Sequence, residues 1–294
     1  MKIKSLLAKY KNGNYIVELY SDGTKIKTTE DDFFDAEFPD SMDMKITNYC
    51  DMNCPMCHEK SSTEGNHANL NQTFLNTLEK GTEIAIGGGN PLSHPNFIEF
   101  LKNLKERGII ANVTINEQHL LKNIDLIQEL IDKKLIWGLG ISLNEYNEKT
   151  LEFAIKNTNV VFHLILGIAT LNSIQKLFDK DFKILLLGYK KFGRGESFHN
   201  DNIDTEILKF SEKIISLFNH FNLISFDNLA LKQLNLKNKL SKETWEEFYM
   251  GDDGESTMYV DLVKEEFAVS STSNIRFPLK DNIKEMFDIV KKSK

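Results

Sequence analysis

The chain has 294 residues, of which 41% are hydrophobic and 27% are charged, and its formal net charge is −7. This length supports a substantial core, and barrel folds of this size commonly form one domain. The acidic balance, without a long basic run, argues against extended binding to a nucleic-acid backbone. No apolar run approaches the roughly 18 residues of a membrane span. We therefore expect no membrane partner, and no secretory signal because the first residues lack an apolar h-region.

Residues 1–40 are predicted to form an N-terminal extension. Two β-forming runs, residues 15–20 and 24–28, flank an Asp-Gly pair, and this arrangement favours a β-hairpin. An isolated hairpin is marginally stable and needs a surface to pack on. The preferred interpretation is a ribbon that stabilises the edge of a larger domain, and the alternative is a lid or a substrate-binding strand pair.

All three cysteines lie in one short segment, C-D-M-N-C-P-M-C at residues 50–57, directly after a strand-like run. Cys50, Cys54 and Cys57 can hold three corners of a [4Fe–4S] cluster, which normally takes four cysteines. Because the sequence has no fourth cysteine, one iron would keep a coordination position open for a substrate or cofactor. The same count argues against a disulfide framework and for a reducing compartment.

The C-x3-C-x2-C spacing resembles the signature of the radical SAM superfamily. The resemblance implies that the three cysteines bind the cluster and that the open iron binds the amino and carboxylate groups of S-adenosylmethionine (SAM). An electron from a flavodoxin- or ferredoxin-like donor would then cleave SAM to a 5′-deoxyadenosyl radical. The family usually has an aromatic residue before the third cysteine. Here that residue is Met56, whose thioether can still cover a cluster edge.

A structural zinc site is the alternative for the same cysteines, with His58, His67 or another group as the fourth ligand. Zinc sites more often pair a C-x2-C with a distant second pair, so the cluster is the preferred interpretation. An oxygen-labile open cluster fits an anaerobic or low-oxygen cytoplasm, and we predict a cytoplasmic location.

From residue 43 the sequence repeats a strand, a loop and an amphipathic helix, which is typical of a parallel sheet with covered faces. The predicted strands are residues 43–49, 82–86, 109–115, 135–143, 160–166, 182–187 and 223–226. The predicted helices are residues 70–81, 95–108, 120–131, 146–157, 171–179 and 204–221. Six such units and a short seventh strand predict an α/β fold, a partial (β/α)6 TIM-like barrel over residues 41–231. The family resemblance implies the same architecture.

After residue 231 the pattern changes, and residues 232–294 are predicted to form a small α+β cap on the open side of the barrel. The predicted elements are a helix at 241–250, a hairpin of residues 258–263 and 267–271, and a final helix at 281–292. This segment has no cysteine, so it cannot be a thiolate-ligated auxiliary cluster domain of the SPASM kind.

A second motif, G-G-G-N-P at residues 87–91, follows the second predicted strand. It is similar to the G-G-E-P motif of the radical SAM family, in which the backbone and the acidic side chain accept hydrogen bonds from the SAM ammonium group. The resemblance implies that Gly88, Gly89 and Asn90 orient SAM. Glycines let the backbone approach a ligand closely. Asn90 stands where the family has Glu, so its amide oxygen can accept without the charge-assisted part of the interaction.

Four further residues at strand ends occupy positions that contact SAM in the family. Asn116 follows the third strand, Ser142 and Asn144 follow the fourth, and Gly167 follows the fifth, where relatives pack against adenine. Asn116 and Asn144 can equally cap a helix or form a turn, because short polar side chains hydrogen-bond to nearby backbone. The two roles of Asn116 are compatible.

Three basic residues are candidates to line a substrate cavity in the barrel. Lys45 and His163 are polar residues inside apolar strands, where an unpaired buried charge is costly and alternate residues face the lumen. Arg194 lies in a Gly-flanked loop after the sixth strand, where it can pair with the SAM carboxylate or an anionic substrate. Each can instead be structural, as a satisfied core residue or a solvated loop charge.

Three hypotheses for function follow. The first is a radical SAM enzyme that abstracts hydrogen from a peptide or protein, which the terminal hairpins can bind by strand addition. The second is the same chemistry on a small molecule or nucleotide held in the lumen. The third is a non-catalytic metal-binding module that uses the same cysteines.

Overall fold

The computed structural model describes residues 5–294 and begins with a small antiparallel sheet. Its strands are β1 (Leu6–Asn12), β2 (Tyr15–Tyr20) and β3 (Lys25–Thr28), in that order. Strands β2 and β3 are the predicted hairpin, and Tyr20 closes its turn by donating a backbone hydrogen bond to Thr24 (2.9 Å). Strand β1, which the sequence pattern did not predict, pairs with the other side of β2.

The larger sheet has ten strands in the order β10-β9-β8-β7-β6-β5-β4-β11-β12-β13. These strands are β4 (Ser41–Thr47), β5 (Glu83–Gly88), β6 (Ile110–Asn116), β7 (Gly138–Ser142), β8 (Val160–Ile165), β9 (Lys183–Leu187), β10 (Leu223–Phe226), β11 (Thr257–Asp261), β12 (Glu266–Ala268) and β13 (Phe277–Pro278). Strands β4 to β10 are the seven predicted strands, and each is parallel to its neighbour. The mixed α/β class with a large, mostly parallel sheet is therefore as expected.

Helices connect most of the parallel strands. They are α1 (Phe97–Glu106), α2 (Glu117–Lys122), α3 (Ile124–Asp132), α4 (Glu148–Lys156), α5 (Leu171–Ile174), α6 (Arg194–Phe198), α7 (Asp201–Leu217), α8 (Asn228–Gln233), α9 (Lys242–Phe248) and α10 (Ile283–Lys292). The helix predicted at 120–131 is two helices, because the backbone of Asn123 leaves the helical region. None of the helices in the described part of the chain has the length and apolar character needed to span a membrane.

The predicted helix at residues 70–81 is wrong. The structure has a short 3₁₀ helix, Thr73–Thr77, and Leu78 after it is extended. The segment is rich in Asn, Gln and Thr, whose side chains compete with helical hydrogen bonds. Asn69 accepts from the Asn71 backbone (3.0 Å), and Thr77 donates to the Phe74 carbonyl (2.7 Å). The four apolar residues of the pattern are nevertheless buried, namely Leu70, Phe74, Leu75 and Leu78.

The two faces of the parallel sheet differ in polarity. One face is apolar and packs under the helices, as shown by Ile84, Ile141 and Ile184, each with no exposed surface. The alternate residues form the opposite face, which we call the inner face. On β4 to β7 it carries mainly charged and polar side chains and glycines, whereas on β8 and β9 it also has apolar residues such as Val161 and Leu185. It bounds a cavity of about 330 Å³ whose lining includes Asp43, Glu83, Asn112 and Tyr259.

The N-terminal sheet lies at the amino ends of the parallel strands. Lys25 pairs with Glu83 at the start of β5, and Lys27 pairs with Asp40 just before β4 (2.7 Å). The Asn159 side chain, just before β8, donates to the Ser21 carbonyl (2.8 Å). Because the cysteine segment follows the carboxyl end of β4, these contacts support the stabilising interpretation of the hairpin over a lid.

The C-terminal segment is not the separate cap that we expected. Strand β11 pairs in parallel with β4, in a register that places Tyr259 opposite Asp43 and Asp261 opposite Lys45. Strands β12 and β13 then extend the sheet in antiparallel fashion. Helix α10 lies beside the 3₁₀ turn, since the Ile283 backbone donates to Thr77 Oγ1 (2.9 Å). It therefore covers part of the sheet where the missing helix was expected.

The structure thus differs from the predicted barrel in two respects. The first βα unit has no α-helix, and the sheet has an edge at β10 and another at β13. A full (β/α)6 repeat is not confirmed, and the boundaries at residues 40 and 231 remain predictions.

Candidate functional site

The cysteine loop, residues 48–66, leaves the carboxyl end of β4 and folds back on itself. The Cys50 backbone donates to Ser62 (2.9 Å), and the Asn48 backbone donates to Asn66 (2.8 Å). A tight turn at its tip is closed by the hydrogen bond from Cys57 N to the Cys54 carbonyl (3.2 Å). All three thiols are free and partly exposed. The fold therefore places three potential metal ligands together where parallel α/β sheets carry their sites.

Burial raises the pKa of the Cys50 and Cys54 thiols above the ordinary cysteine value. A partly buried thiol keeps its proton more readily than an exposed one, because desolvation disfavours the thiolate. Metal binding requires the thiolate and releases that proton. The donor set fits a soft metal or an iron–sulfur cluster, for which thiolates are the preferred ligands.

Arg194, at the start of α6, supports the cysteine loop through the backbone. Its Nε donates to the Cys54 carbonyl and its Nη2 to the Ser61 carbonyl, both at 2.9 Å. Its own backbone N–H donates to the Cys57 carbonyl (3.1 Å). The sequence predicted a partner for the SAM carboxylate or an anionic substrate. Two guanidinium nitrogens bind carbonyls of the cysteine loop, so Arg194 positions that loop. Its pairing with the SAM carboxylate or an anionic substrate stays a prediction.

A buried ion-pair network joins the other side of the loop to the C-terminal strand. Lys45, 3% exposed, contacts Glu59 Oε2 (2.6 Å) and Asp261 Oδ2 (3.2 Å). Tyr259 donates from Oη to Glu59 Oε1 (3.1 Å). Lys45 faces inward, as predicted, but its charge is matched by two carboxylates. The contacts of Lys45 therefore give no support to its predicted role as a substrate-binding residue. The sequence analysis did not predict that Glu59, Tyr259 and Asp261 belong to this network.

His119 in α2 is a third support that the sequence did not reveal. It is 1% exposed, and its Nε2 lies 2.6 Å from Asp51 Oδ1, beside the first cysteine. Lys122 contacts the other Asp51 oxygen (3.1 Å). The hydrogen bond from His119, with that from Lys122, lowers the pKa of Asp51 to about 2. No spacing links residues 51 and 119, so only the folded chain brings them together.

A ring nitrogen of His119, a carboxylate oxygen of Asp51 and Cys50 Sγ lie within 4.8 Å of one another. The two histidines that we considered as zinc ligands have other contacts. His67 Nδ1 lies 2.8 Å from Thr47 Oγ1, and His58 Nε2 lies 3.5 Å from Glu59. Among the described residues, His119 is the histidine grouped with a cysteine as a candidate ligand.

The glycine motif packs directly against the base of the cysteine loop. The Gly89 backbone donates to Thr47 (2.8 Å), and the Asn90 backbone donates to Tyr49 (2.7 Å). A Cβ at Gly89 would lie 2.1 Å from the Tyr49 carbonyl oxygen. Gly88 has φ +111°, which favours glycine. These positions need glycine for close packing, whereas Gly87 faces open space.

Asn90 has a structural role that the sequence did not predict. Its side-chain Oδ1 accepts a hydrogen bond from the Leu92 backbone (3.2 Å) and caps the 3₁₀ turn Pro91–Ser93. The side chain is 9% exposed. An amide oxygen has two acceptor sites, so a SAM contact by Asn90 stays a prediction.

Asn116, Ser142 and His163 occupy one register across β6, β7 and β8. Neighbouring strands lie about 4.8 Å apart, so these polar residues form a row. Asn116 also accepts from the Gln118 backbone (2.9 Å), which confirms its capping role. Their contacts with SAM remain predictions.

Glu117 determines the position of the loop that carries Asn144. This side chain has no exposed surface and accepts from the backbone N–H groups of Asn144 (3.1 Å), Glu145 (2.7 Å) and Asn147 (2.7 Å). A carboxylate that accepts three backbone hydrogen bonds is strongly bound. Glu117 therefore positions a predicted SAM-binding loop and was missed because its sequence position indicated only a helix start.

Gly167 lies where the fifth parallel strand ends, but the structure gives it a packing role. It has φ +80°, and a Cβ there would lie 2.5 Å from Ile203 Cγ2 near the start of α7. A role beside adenine stays a prediction, because the described contacts are with α7.

His163 projects from the inner face over Gly140. A Cβ at Gly140 would lie 2.4 Å from His163 Cε1 and 2.9 Å from Thr114 Oγ1. Desolvation lowers the pKa of His163 to about 4, so its imidazole is neutral near pH 7. It can therefore take part in neutral hydrogen bonds on the inner face but cannot supply positive charge, and its role in a substrate cavity stays a prediction.

The family model of the radical SAM superfamily matches residues 44–183, which contain both motifs, the second half of β4 and strands β5 to β8. Residues 44–183 are therefore a domain of the radical SAM superfamily. Membership implies a [4Fe–4S] cluster and SAM as cofactors.

One relative and two solved structures illustrate the likeness. Over 141 residues the chain is 27% identical to the tungsten-containing aldehyde ferredoxin oxidoreductase cofactor-modifying protein of Pyrococcus furiosus, covering 46% of this chain and 37% of that protein. SuiB of Streptococcus suis bound to precursor peptide SuiA has a TM-score of 0.61 at 14% identity, covering 87% of this chain and 65% of that one. The structure of SuiB bound to S-adenosylmethionine has a TM-score of 0.61 at 13% identity, covering 86% of this chain and 66% of that one. This chain thus spans less than two thirds of each of these proteins, and the likeness to SuiB is one of fold.

Proposed function

We propose that the chain uses a [4Fe–4S] cluster, held by Cys50, Cys54 and Cys57, to cleave SAM and remove a hydrogen atom from a substrate. The observation that carries this proposal is the packing of the cysteine loop against the glycine motif at the carboxyl ends of β4 and β5. Three thiolates leave one iron of a cluster without a protein ligand. When bound, the cofactors would supply a 5′-deoxyadenosyl radical.

The chain's own residues would orient the reactants. Arg194 and Glu59 hold the cysteine loop from two sides. Glu117 holds the loop that would face the SAM ribose. A substrate on the inner face would meet neutral His163 and the cavity lined in part by Asp43. The protein thus contributes placement, and the cofactors contribute the radical chemistry.

A peptide or protein is the favoured substrate. The support is the fold shared with SuiB, whose structure contains a precursor peptide. A small molecule is the second candidate, because the Pyrococcus relative is described as a cofactor-modifying protein. The N-terminal hairpin lies at the amino ends of the strands, so strand addition by a peptide near the cysteines would use the C-terminal strands instead. A flavodoxin- or ferredoxin-like electron donor and a cytoplasmic, low-oxygen setting remain predictions.

Anaerobic reconstitution tests the proposal. The wild-type protein is loaded with iron and sulfide, reduced with SAM present, and assayed for 5′-deoxyadenosine by mass spectrometry. We expect about four irons per chain, and we expect both iron and product to be lost in Cys54→Ala. Met56→Phe, which introduces the family's usual aromatic residue, is the matched control and should keep both. A protein that holds one zinc, takes up no iron and leaves SAM intact would instead be a metal-binding module.

A further inference from the structure

The cavity on the inner face has an acidic lining. Among residues 5–294, no basic side chain lines it, whereas three carboxylates do, namely Asp43, Glu83 and Asp253. Two of the basic residues predicted to line a substrate cavity do not change this balance. Lys45 is matched by two carboxylates, and His163 is neutral near pH 7. The lining is therefore suited to a cation rather than to the anionic substrate that we expected.

One of the three carboxylates has no partner of its own. Glu83 forms an ion pair with Lys25, and Asp253 accepts a hydrogen bond from Asn228 Nδ2 (2.7 Å). Asp43 makes neither a hydrogen bond nor an ion pair with the part of the chain that the structure describes. It is therefore the lining carboxylate that is free to bind a ligand.

The charge of Asp43 is poorly solvated as well as unpaired. Its side chain is open to the cavity, although the residue lies within β4. The surrounding protein nevertheless desolvates the carboxylate and raises its pKa. Lys190 acts in the opposite direction, but its ammonium donates to Ser271 Oγ (2.9 Å). A cation bound in the cavity would offset the cost of this unpaired charge.

The inner face also leaves room between the cavity and the cysteine loop. On β5, Ala85 pairs with Asp43, and Gly87 pairs with Lys45 one level nearer the carboxyl ends. A Cβ at Gly87 would have no atom within 4 Å, so the inner face is open beside Lys45. Four residues of strand separate Asp43 from Thr47, which is about 13 Å. A long cationic side chain that reaches Asp43 would thus leave the rest of its molecule nearer to the cysteine loop.

We propose that this cavity binds a cationic group of the substrate, a protonated amine or a guanidinium, with the Asp43 carboxylate as its counter-ion. The proposal names the substrate class of the proposed function and rests on that function for the reaction. In a peptide the bound group is a lysine or arginine side chain, and in a small molecule it is an organic amine. Asp43 positions the substrate and takes no part in the cleavage of SAM.

Three probes test the charge preference of the cavity, the Nα-acetyl methylamides of lysine, arginine and norleucine. Ligand-observed NMR titrations of the full chain give their Kd values for wild type, Asp43→Asn and the control Glu18→Gln, whose carboxylate pairs with Lys9 in an exposed position. We expect wild type and Glu18→Gln to bind a cationic probe about tenfold more tightly than the norleucine probe, because hydrogen bonds to charged groups are strong. Asp43→Asn should bind all three alike. A wild type without this preference, or a preference that survives in Asp43→Asn, would overturn the proposal.

A second measurement needs no ligand and shows whether Asp43 is instead structural. Asn keeps the shape of Asp and removes its charge, so Asp43→Asn should unfold at a higher urea concentration than wild type at about pH 8. A midpoint that does not rise would mean that the carboxylate is satisfied in the folded protein, and the proposal would fail.

The source of the cation and the proposed function are tested separately. The preferred side chain is placed in a short Gly/Ala peptide. Tighter binding than that of the single residue assigns the site to a peptide, and equal binding assigns it to a small amine; both results support a cationic substrate. Iron per chain after reconstitution should be the same in Asp43→Asn and wild type. If wild type takes up no iron, the proposed function fails, whereas the probe titrations still report on the cavity.

Discussion

The two ends of the parallel strands are held by different sets of contacts. At the amino ends, the Asp40 carboxylate is 1% exposed and accepts from Asn12 Nδ2 (2.7 Å), Tyr15 Oη (2.8 Å) and Lys27 Nζ (2.7 Å). At the carboxyl ends, the cysteine loop is held through its backbone carbonyls, by close approach of the chain at Gly89, and by ion pairs of its own Asp51 and Glu59 side chains.

This difference indicates what each end contributes. At the amino ends, the buried Asp40 carboxylate already accepts hydrogen bonds from several donors. This network therefore contributes to folding without a bound cofactor. The carboxyl end keeps free thiols and the unpartnered Nδ1 of His119. Substitutions at the amino end should therefore change the free energy of unfolding, and substitutions at the carboxyl end should mainly change cluster loading.

The largest expected effect is that of Gly89→Ala on cluster loading. A Cβ at Gly89 would lie 2.1 Å from the Tyr49 carbonyl oxygen, one residue before Cys50, so the cysteine loop must move. Gly87→Ala is the matched control in the same motif, because a Cβ there has no atom within 4 Å. We expect Gly89→Ala to lose most of its iron after reconstitution and Gly87→Ala to keep it. Equal loading would show that the loop adapts and that the glycine packing is not required for the cluster.

Asp40→Asn should have the largest effect on folding. The substitution leaves Lys27, whose side chain is 10% exposed, without its ion-pair partner. Removing one member of a buried pair typically costs about 3–5 kcal/mol. Urea unfolding of the unloaded protein measures this loss. Glu18→Gln is the control, because Glu18 pairs with Lys9 in an exposed position and exposed pairs contribute little. If folded Asp40→Asn also fails to bind iron, the two ends of the sheet are coupled more strongly than the contacts indicate.

Much of the fold could be predicted from local pattern. The seven parallel strands, the β2–β3 hairpin and the position of both motifs at strand ends all follow from apolar runs, turn residues and their spacing. The segment at 70–81 shows the limit of this reasoning. Its apolar residues are buried as predicted, but Asn and Thr side chains favour a 3₁₀ turn. Helix α10, which lies beside that turn, begins 206 residues later in the chain.

The partners of side chains were harder to predict than the strands. Lys45 faces inward as its strand position requires, yet its two carboxylates come from residues 59 and 261. Arg194 was predicted to pair with an anion because its loop is near the site, but nothing in the sequence indicated that it also donates to the carbonyls of Cys54 and Ser61. Such contacts depend on which loops lie next to each other in the folded chain. A single sequence does not indicate which distant loops these are.

The smallest effect that we predict is a pH dependence of the free energy of unfolding. It tests whether His163, on the inner face between the two ends of the strands, is desolvated. The pKa of His163 falls from an ordinary value of 6.5 to about 4 because the ring is desolvated. The unfolded chain therefore binds a proton below pH 6.5 that the folded chain does not bind until about pH 4. Stability from this group is complete above pH 6.5 and is lost as the pH falls toward 4.

Between pH 7.5 and pH 5 this linkage should lower the free energy of unfolding by at most about 2 kcal/mol. Urea unfolding of wild type and His163→Gln at both pH values measures it, and the variant should lose correspondingly less. His220→Gln, at an exposed site that stacks on Phe178, should retain the wild-type difference. If His163→Gln shows the wild-type difference as well, the ring is hydrated in the folded protein. The inner face would then be open to water before any cofactor binds, and exclusion of water during catalysis would depend on SAM or the substrate.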